Sequence, residues 1–356
     1  MKKKNSNAKK TIANNFDFRE TLKDKKIFEI YKDFYTELKK LNISNNIAIA
    51  VSGGADSLAL CFLISCFKSK NNKKIQLKFY LVDHGLRNNS NNEALLVKKQ
   101  LKLKNIDLKI LKWKGKKPIA NLQSVARQKR YDLLFKECKK SNIATLLTAH
   151  HQDDFYETFF SRLLRGSGTE GLSSFAQVEK KFIYKDNKIS LLRPLIKFSK
   201  QDLIYIANKV FKFYINDPSN EMEKFQRVRL RKLILNLKNE GLDFQKLKLT
   251  VHNLASTNTT INKIVDRSIY ENVTFSKNKY LINYNFFSQP DEIVFRSLSI
   301  LIKKINKNYY PPRGKKLINL ISRIKSEKQV KATLGGTIIQ KVHNSVIVSK
   351  EKTKKR

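Results

Sequence analysis

The chain has 356 residues, and its 73 lysine and arginine against 30 aspartate and glutamate side chains give a formal net charge of +43. Hydrophobic residues make up 41% of the chain, which is enough to build cores and excludes a wholly disordered protein. The longest nearly apolar run, residues 58–67, has half of the roughly 20 residues that cross a bilayer, and no apolar stretch follows the basic first residues, so neither a membrane protein nor a signal peptide is expected.

The cysteines and the charge indicate the compartment and the partner. Cys61, Cys66 and Cys138 are odd in number and form no C-x-x-C pair, which predicts reduced, structural cysteines in a cytoplasmic protein. The positive charge favours RNA or DNA as partner, because lysine and arginine contacts with phosphates are the main sequence-independent source of nucleic-acid affinity. A solvated basic surface is the alternative.

The first half of the chain alternates between predicted strands and helices. Residues 1–25 are predicted to be a basic flexible tail, and apolar residues at helical spacing predict a helix over 26–41. The next predicted strands are 46–51, 75–82, 108–113 and 144–149, and the helices that follow them are 57–67, 90–104, 122–140 and 152–164. This alternation predicts an α/β fold with a mainly parallel, doubly wound, Rossmann-like sheet that carries helices on both faces. Ligands of such sheets bind beyond the carboxyl ends of the strands.

The second half of the chain has a looser pattern. A hairpin is predicted over 182–184 and 188–192, and helices over 200–209, 221–238, 244–265, 291–307 and 315–328, with strands at 337–342 and 346–349. The turn sequence at 217–220 suggests a domain boundary. We therefore predict a catalytic domain over 26–220, a helical linker over 221–290 and a small α+β C-terminal domain over 291–356.

The segment VSGGADS joins the first strand of the sheet to its first long helix. Gly53 and Gly54 let the main chain turn sharply, and the N–H groups of the loop and of the helix N-terminus can converge on anionic oxygens. Ser52 and Ser57 add hydroxyl donors. The segment lacks the lysine of the P-loop motif G-x-x-x-x-G-K-[ST], so it does not predict binding of a γ-phosphate by a loop lysine. The alternative is an ordinary glycine turn in which Ser57 caps the helix.

This segment, SGGADS, resembles the signature of the N-type ATP pyrophosphatases, which cleave ATP between the α- and β-phosphates. Further motifs resemble those of the tRNA(Ile)-lysidine synthetases within that group. They are Asp83-His84-Gly85-Leu86-Arg87, Ala126-Arg127 with Arg130-Tyr131, His150-His151-Gln152-Asp153-Asp154 with Glu157, and Asp217-Pro218-Ser219-Asn220 followed by Phe225, Arg227, Arg229 and Arg231. The resemblance covers about residues 45–235. At Phe155-Tyr156 the family often has Gln-Ala instead.

The resemblance implies a reaction on the wobble cytidine of the tRNA(Ile) whose anticodon is CAU. ATP adenylates O2 of the cytosine and releases pyrophosphate, and the ε-amino group of L-lysine then attacks C2 and expels AMP, which gives lysidine. ATP, Mg²⁺ and L-lysine are the implied small molecules, with no zinc or iron–sulfur cluster and no membrane partner. A homodimer is compatible with the sequence.

The resemblance also assigns residues to these roles. Asp56, His150 and Arg165 are expected to be catalytic, and Ser52, Gly53, Gly54, Ala55, Asp56, Ser57, Asp83 and Asp153 to bind ATP. Arg87, Arg127, Arg130, Arg227, Arg229 and Arg231 are expected to bind the tRNA. Asp153 is a candidate for ATP or for Mg²⁺, which carboxylates and nucleotide phosphates usually hold together.

Asp154 and Glu157 are the expected lysine ligands. They are three residues apart and therefore share one helix face, where two carboxylates suit a cationic ligand. The alternative is that the two carboxylates only cap the N-terminus of the helix, where acidic side chains are favoured. The neighbours His150 and His151 do not indicate a zinc site, because adjacent side chains point in different directions. Either ring could donate a hydrogen bond to an α-phosphate oxygen, and a structural role at the strand end is the alternative.

Two other functions stay open on the sequence. One is a tRNA thiolation enzyme of the same ATP pyrophosphatase group, although such enzymes commonly use paired C-x-x-C cysteines. The other is a noncatalytic basic RNA-binding protein built on an old nucleotide-binding fold.

Overall fold

The computed structural model describes residues 17–41, 43, 45–71, 75–87, 89–115, 118, 122–174, 179–184, 186–216, 226–306, 312 and 314–351. The first 16 residues of the predicted tail, the turn at 217–220 and Phe225 lie outside these ranges. The chain divides into two compact units. One runs to Ser167 and resumes over Ser174–Lys248, and the other combines Gly168–Ser173 with the chain from Leu249. The domain boundaries at 220 and 290 stay predictions.

The described helices follow the predicted order. They are α1 (Phe18–Thr21), α2 (Lys25–Lys39), α3 (Ala55–Asn71), α4 (Ser90–Lys102), α5 (Leu122–Lys140), α6 (Gln152–Leu163), α7 (Thr169–Ser173), α8 (Lys200–Val210), α9 (Gln226–Asn239), α10 (Phe244–Asn272), α11 (Asp291–Asn306) and α12 (Gly314–Ser326). The short helix α1 lies in the stretch assigned to the tail, because Asp17 caps it and Leu22 just after it is buried.

Six strands form the sheet of the first unit among the described residues. They are β1 (Asn46–Val51), β2 (Gln76–Asp83), β3 (Leu108–Lys112), β4 (Thr145–Leu147), β5 (Glu179–Tyr184) and β6 (Asn187–Leu192). The strand order is β3-β2-β1-β4-β6-β5. Neighbouring strands are parallel except β5 and β6, which form the predicted hairpin. The predicted mainly parallel α/β sheet is confirmed, and its topological switch lies between β1 and β4.

Helices cover both faces of this sheet. Helices α2, α3, α4 and α8 share one core, and α5 shares the other with β2 and β6. Every residue of α3 from Ser57 to Phe67 is buried, because the helix is packed between the sheet on one side and α1, α2 and α8 on the other. A helix that is apolar on all sides needs such an environment. The helix that follows the glycine loop is therefore fixed on all sides.

The second unit is the predicted small α+β module with a larger sheet than predicted. Its described strands are β7 (Val273–Ser276), β8 (Lys279–Asn283), β9 (Lys331–Leu334), β10 (Thr337–Val342) and β11 (Ser345–Lys350). They form an antiparallel sheet in the order β7-β8-β11-β10-β9, which packs with α11 and α12 around one core. Strands β7, β8 and β9 were not predicted. In neither unit do the described residues include a helix long and apolar enough to span a bilayer.

Candidate active site at the switch point of the sheet

The glycine loop connects β1 to α3 through Ser52, Gly53 and Gly54. Gly53 has a φ of +84°, in the region that favours glycine. The Oγ of Ser57 accepts hydrogen bonds from the amides of Ser52 and Gly53, both at 3.1 Å, and donates to the carbonyl oxygen of Gly54 at 2.9 Å. The Ser57 hydroxyl thus stabilises the turn, and in this state two of the loop amides face that hydroxyl.

Gly53 also packs closely against two other segments. A Cβ at this position would lie 2.6 Å from Cγ2 of Val97 on α4 and 3.2 Å from Cγ1 of Ile215. The amide of Ile215 donates to the carbonyl oxygen of Gly53 at 2.9 Å. The loop is therefore packed against α4 and the segment after α8, and a Cβ at Gly53 would require the Val97 and Ile215 side chains to shift.

Replacing Gly53 by Ala is expected to lower the free energy of unfolding by about 1–3 kcal/mol, because the left-handed backbone and the Val97 contact both oppose a methyl group. Gly54→Ala is the matched control, since a Cβ there would meet its nearest neighbour, Oγ of Ser52, at 3.7 Å. Urea unfolding of both variants measures the difference. Equal losses in the two variants would contradict the close packing of Gly53.

A cavity of about 230 Å³ lies beside the loop at the carboxyl ends of the strands. It is lined by Ala50, Val51, Ser52, Asp56, Ser57, Tyr80, Val82, Arg127, Arg130, Tyr131, Leu134, Thr148, Ala149, His150 and Asp154. The wall opposite the loop comes from α5, where the guanidinium group of Arg127 lies 5.4 Å from the ring centroid of Tyr131. The cavity thus combines the glycine loop, two arginines and two carboxylates at the place where such sheets bind ligands.

Asp56 and Asp154 approach each other through His151. The Nε2 atom of His151 lies 3.6 Å from a carboxylate oxygen of each. Nδ1 of this buried ring accepts a hydrogen bond from the amide of Asp153 at 3.2 Å, so Nε2 carries the hydrogen that faces the two carboxylates. Asp154 in turn accepts a bond from the amide of His151 at 3.0 Å. His151 therefore caps α6 and orients the acidic side of the cavity.

His150 occupies a different environment on the cavity wall. Its Nδ1 lies 2.9 Å from Oγ1 of Thr148. Burial lowers the pKa of His150 to about 4; the carboxylate of Asp154 opposes this shift, and the guanidinium groups of Arg193, Arg127 and Arg130 add to it. The imidazole is consequently neutral at physiological pH and can donate a hydrogen bond to a phosphate oxygen without adding positive charge.

The other two carboxylates of α6 face α9. Glu157 is buried, with 5% of its side chain exposed, and its Oε1 accepts a hydrogen bond of 2.5 Å from Nε of Arg231, whose side chain is 44% exposed. Asp153 lies 3.4 Å from Nζ of Lys238, and that ammonium group also lies over the ring of Tyr156 at 4.8 Å. Asp154 thus lines the cavity, whereas Glu157 is placed beyond it, against a cation of α9.

The remaining predicted residues lie at varied distances from the cavity. Asp83 is buried and accepts a hydrogen bond from the amide of Gly85. Arg87 pairs with Glu93 at 3.3 Å, and Arg165 donates to the carbonyl oxygen of Ser161, so neither lines the cavity in this state. Arg229 is exposed on α9, and the side chain of Arg227 lies outside the part of the chain that the structure describes. The roles assigned to these residues stay predictions.

Two features near the cavity were missed on the sequence. Lys200, the first residue of α8, places its Nζ 2.7 Å from both carboxylate oxygens of Asp56. Arg193, just after β6, is half-buried, and its charge helps to lower the pKa of His150. Both follow a strand at the carboxyl edge of the sheet, which is the signal that could have identified them.

Comparisons with known proteins show the family of the chain. A family model of the PP-loop domain matches residues 23–238. The tRNA(Ile)-lysidine synthase of Wolbachia pipientis wMel is 34% identical over 87% of this chain and 72% of its own length, and that of Orientia tsutsugamushi (strain Boryong) is 33% identical over 86% and 69%. The solved U34-tRNA thiolase of Methanococcus maripaludis, with its [4Fe-4S] cluster, is 18% identical, covers 64% of this chain and 78% of its own, and has a TM-score of 0.54, which shows a shared fold. The chain carries a PP-loop domain and belongs to the tRNA(Ile)-lysidine synthase family, whose members are ATP-using ligases.

Proposed function

We propose that this protein is a ligase that forms a carbon–nitrogen bond between L-lysine and C2 of the wobble cytidine in the CAU anticodon of tRNA(Ile). ATP is consumed to AMP and pyrophosphate through an adenylated cytidine. The observation that carries this proposal is the convergence of the glycine loop, Asp56, Asp154 and two arginines on one cavity, in a chain of this family. A cytoplasmic location, where tRNA and ATP are present, belongs to the same proposal.

The glycine loop is the proposed site of the ATP phosphates. The N-terminus of α3 directs its amides and its helix dipole towards the cavity side of the loop, and anions are stabilised there. For the phosphates to use the amides of Ser52 and Gly53, the Ser57 hydroxyl has to share or release them. Asp83, at the end of the neighbouring strand β2, is proposed to face the nucleoside.

The acidic residues fit a magnesium ion that arrives with ATP. No cluster of three or more metal-ligating side chains occurs in the described ranges, and Mg²⁺ typically needs fewer, because one or two carboxylates together with nucleotide phosphates hold it. Asp56, which lines the cavity, and Asp153 are the candidates for the ion, and Asp154 is kept for lysine. When bound, the ion would neutralise charge on the phosphates as pyrophosphate leaves.

The first half-reaction needs the cytosine outside its stack. A base in an anticodon loop leaves the stack more easily than one in a duplex. Its O2 attacks the α-phosphorus of ATP, the bond to the β-phosphate oxygen breaks, and pyrophosphate leaves. We propose that neutral His150 donates a hydrogen bond to a nonbridging α-phosphate oxygen, and that Arg127 and Arg130 on the α5 wall contact phosphates of the tRNA.

The second half-reaction needs an uncharged amine. Asp154 on the cavity wall and Glu157 next to α9 are proposed to bind the ε-ammonium of lysine, and one of them accepts its proton. The amine then forms the bond to C2, and the bond between C2 and the oxygen that carries AMP breaks. Glu157 has to exchange Arg231 for the ligand, which is consistent with the proposal that Arg227, Arg229 and Arg231 bind tRNA phosphates when the substrate is present.

The decisive experiment follows radiolabelled lysine. We expect the purified protein to transfer label to a tRNA(Ile) transcript with a CAU anticodon and to release one pyrophosphate for each lysine incorporated. A transcript with a GAU anticodon is the control and should accept none. Absence of label in the CAU transcript, with ATP and Mg²⁺ present, would exclude the proposal. A homodimer, if formed, would show as a doubled mass in light scattering.

The thiolation alternative finds less support in the chain. Cys61, Cys66 and Cys138 are all buried and free, and burial raises the pKa of each thiol. Because the thiolate is the reactive form and the metal ligand, such cysteines are inert. The noncatalytic alternative is tested by the same lysine assay, since a passive RNA-binding protein incorporates none.

A further inference from the structure

The glycine loop has no lysine of its own, yet a lysine from a distant part of the chain reaches its end. Residues 51–57 read VSGGADS, and the next basic residue of α3 is Lys68, near the far end of the helix. Lys200 is 144 residues after Asp56, and its Nζ lies 2.7 Å from both Asp56 carboxylate oxygens. The fold therefore supplies an ammonium group to the first turn of α3.

The backbone that carries Lys200 is firmly held. Ser199 caps α8, because its Oγ accepts from the amide of Asp202 at 3.2 Å and donates to that residue's carboxylate at 2.7 Å. The amide of Gln152, the first residue of α6, donates to the carbonyl oxygen of Phe198 at 3.1 Å. Helix α8 packs against α3 through a shared core. The lysine side chain itself is 39% exposed.

The charges around the loop favour such a cation. Asp56 and Asp154 both line the cavity, and two carboxylates would repel a triphosphate. The guanidinium groups of Arg127 and Arg130 belong to α5, on the opposite face of the sheet from α3 and α8. Lys200 thus provides positive charge from the face on which the helix after the loop lies.

We propose that Lys200 binds the β- and γ-phosphates of ATP and then the departing pyrophosphate, as the absent loop lysine would. In the described state its ammonium group neutralises Asp56; when ATP binds with Mg²⁺, Asp56 turns to the ion and Lys200 to the phosphates. As the bond between the α-phosphorus and its bridging oxygen breaks, the electron pair stays on that oxygen and the Lys200 ammonium offsets the new charge. This inference rests on the proposed function.

The test compares three ligands on four proteins: wild type, Lys200→Met, Lys200→Arg and Lys197→Met. Lys197 lies on the same segment and pairs with Glu37 at 2.7 Å, away from the loop, so it controls for the loss of one surface charge. Affinities for ATP, pyrophosphate and AMP are measured as inhibition or Michaelis constants in the lysine incorporation assay with Mg²⁺. Circular dichroism melts show whether each variant folds.

We expect Lys200→Met to bind ATP and pyrophosphate about 10- to 100-fold more weakly and AMP within about twofold of wild type. Lys200→Arg should retain most of the affinity, and Lys197→Met all of it. Unchanged pyrophosphate affinity in Lys200→Met, or an equal loss for AMP, would overturn the inference and leave Lys200 as a partner of Asp56 alone. Failure of the proposed function is separate, because wild type would then incorporate no lysine.

Discussion

Replacing Asp56 by Asn is expected to reduce pyrophosphate release from ATP by about 100-fold or more while leaving the protein folded. The Asp56 carboxylate lies on the first turn of α3, bonded to Lys200 and 3.6 Å from Nε2 of His151. An amide keeps the shape of this side chain but loses the negative charge that Mg²⁺ requires. The chemical step should therefore fail even when ATP is bound.

The same variant should bind ATP about as tightly as wild type, because it loses a carboxylate for the Mg²⁺ that accompanies ATP but also frees Lys200 for the phosphates. Removal of the carboxylate leaves Lys200 without a competing anion next to the triphosphate, so the loss falls on kcat rather than on KM for ATP. Asp107→Asn, at an exposed position before β3, is the matched control and should leave both constants unchanged. A lower ATP affinity with unchanged kcat would show that Asp56 binds nucleotide without taking part in the chemistry.

The regular elements of the first unit were predictable because their local patterns agree with the fold. Strand β1, with the apolar sequence NIAIAV, and helix α5 have the bounds predicted for them. Helix α6 begins at the predicted residue, since His151 and Asp154 form a capping box at its start. The glycine loop and the acidic start of α6 lie at the same sheet edge because parallel strands present their carboxyl ends together.

The missed strands have signals that are weaker than those of their neighbours. Strand β7 begins at Val273, directly after the last residue of α10, Asn272. No glycine or proline marks this junction, so the pattern of the helix conceals the start of the strand. The turn after it is formed by Lys277 and Asn278, with φ of 48° and 61°, a two-residue hairpin turn in which the lysine is an unusual choice. Strand β9 precedes a similar turn at Gly335 and Gly336, with φ of 59° and 74°.

The ion pairs of the site could not be predicted in the same way. Lys200 and Asp56 are 144 residues apart, Lys238 and Asp153 are 85 apart, and Arg231 and Glu157 are 74 apart. Spacing along the chain says that Asp154 and Glu157 share a helix face, but only the packing of α9 on α6 decides which cation meets which carboxylate. The departure at Phe155 and Tyr156 lies at a neighbouring contact, where both rings meet Phe244, the first residue of α10.

Replacing Glu157 by Gln is expected to raise the Michaelis constant for lysine by about 10- to 100-fold, because a charged hydrogen bond to the ε-ammonium becomes a neutral one. The constant for ATP should stay within about twofold, since Glu157 does not line the cavity beside the loop. The variant should fold, because the Arg231 side chain that loses its partner is 44% exposed and can reach water. Lysine-dependent incorporation at saturating ATP and tRNA measures the change.

Arg231→Met separates this role from a structural one. If Glu157 serves to hold Arg231, both variants lose the same contact and should show the same defect, chiefly a lower stability. If Glu157 binds lysine, Arg231→Met removes a competing cation from a buried carboxylate, so the constant for lysine should stay equal or fall. The tRNA affinity of Arg231→Met should fall at the same time. The slope of log affinity against log salt concentration should become shallower by about one, because one phosphate contact is lost. An increase in the lysine constant of both variants to the same extent would remove Glu157 from the lysine site.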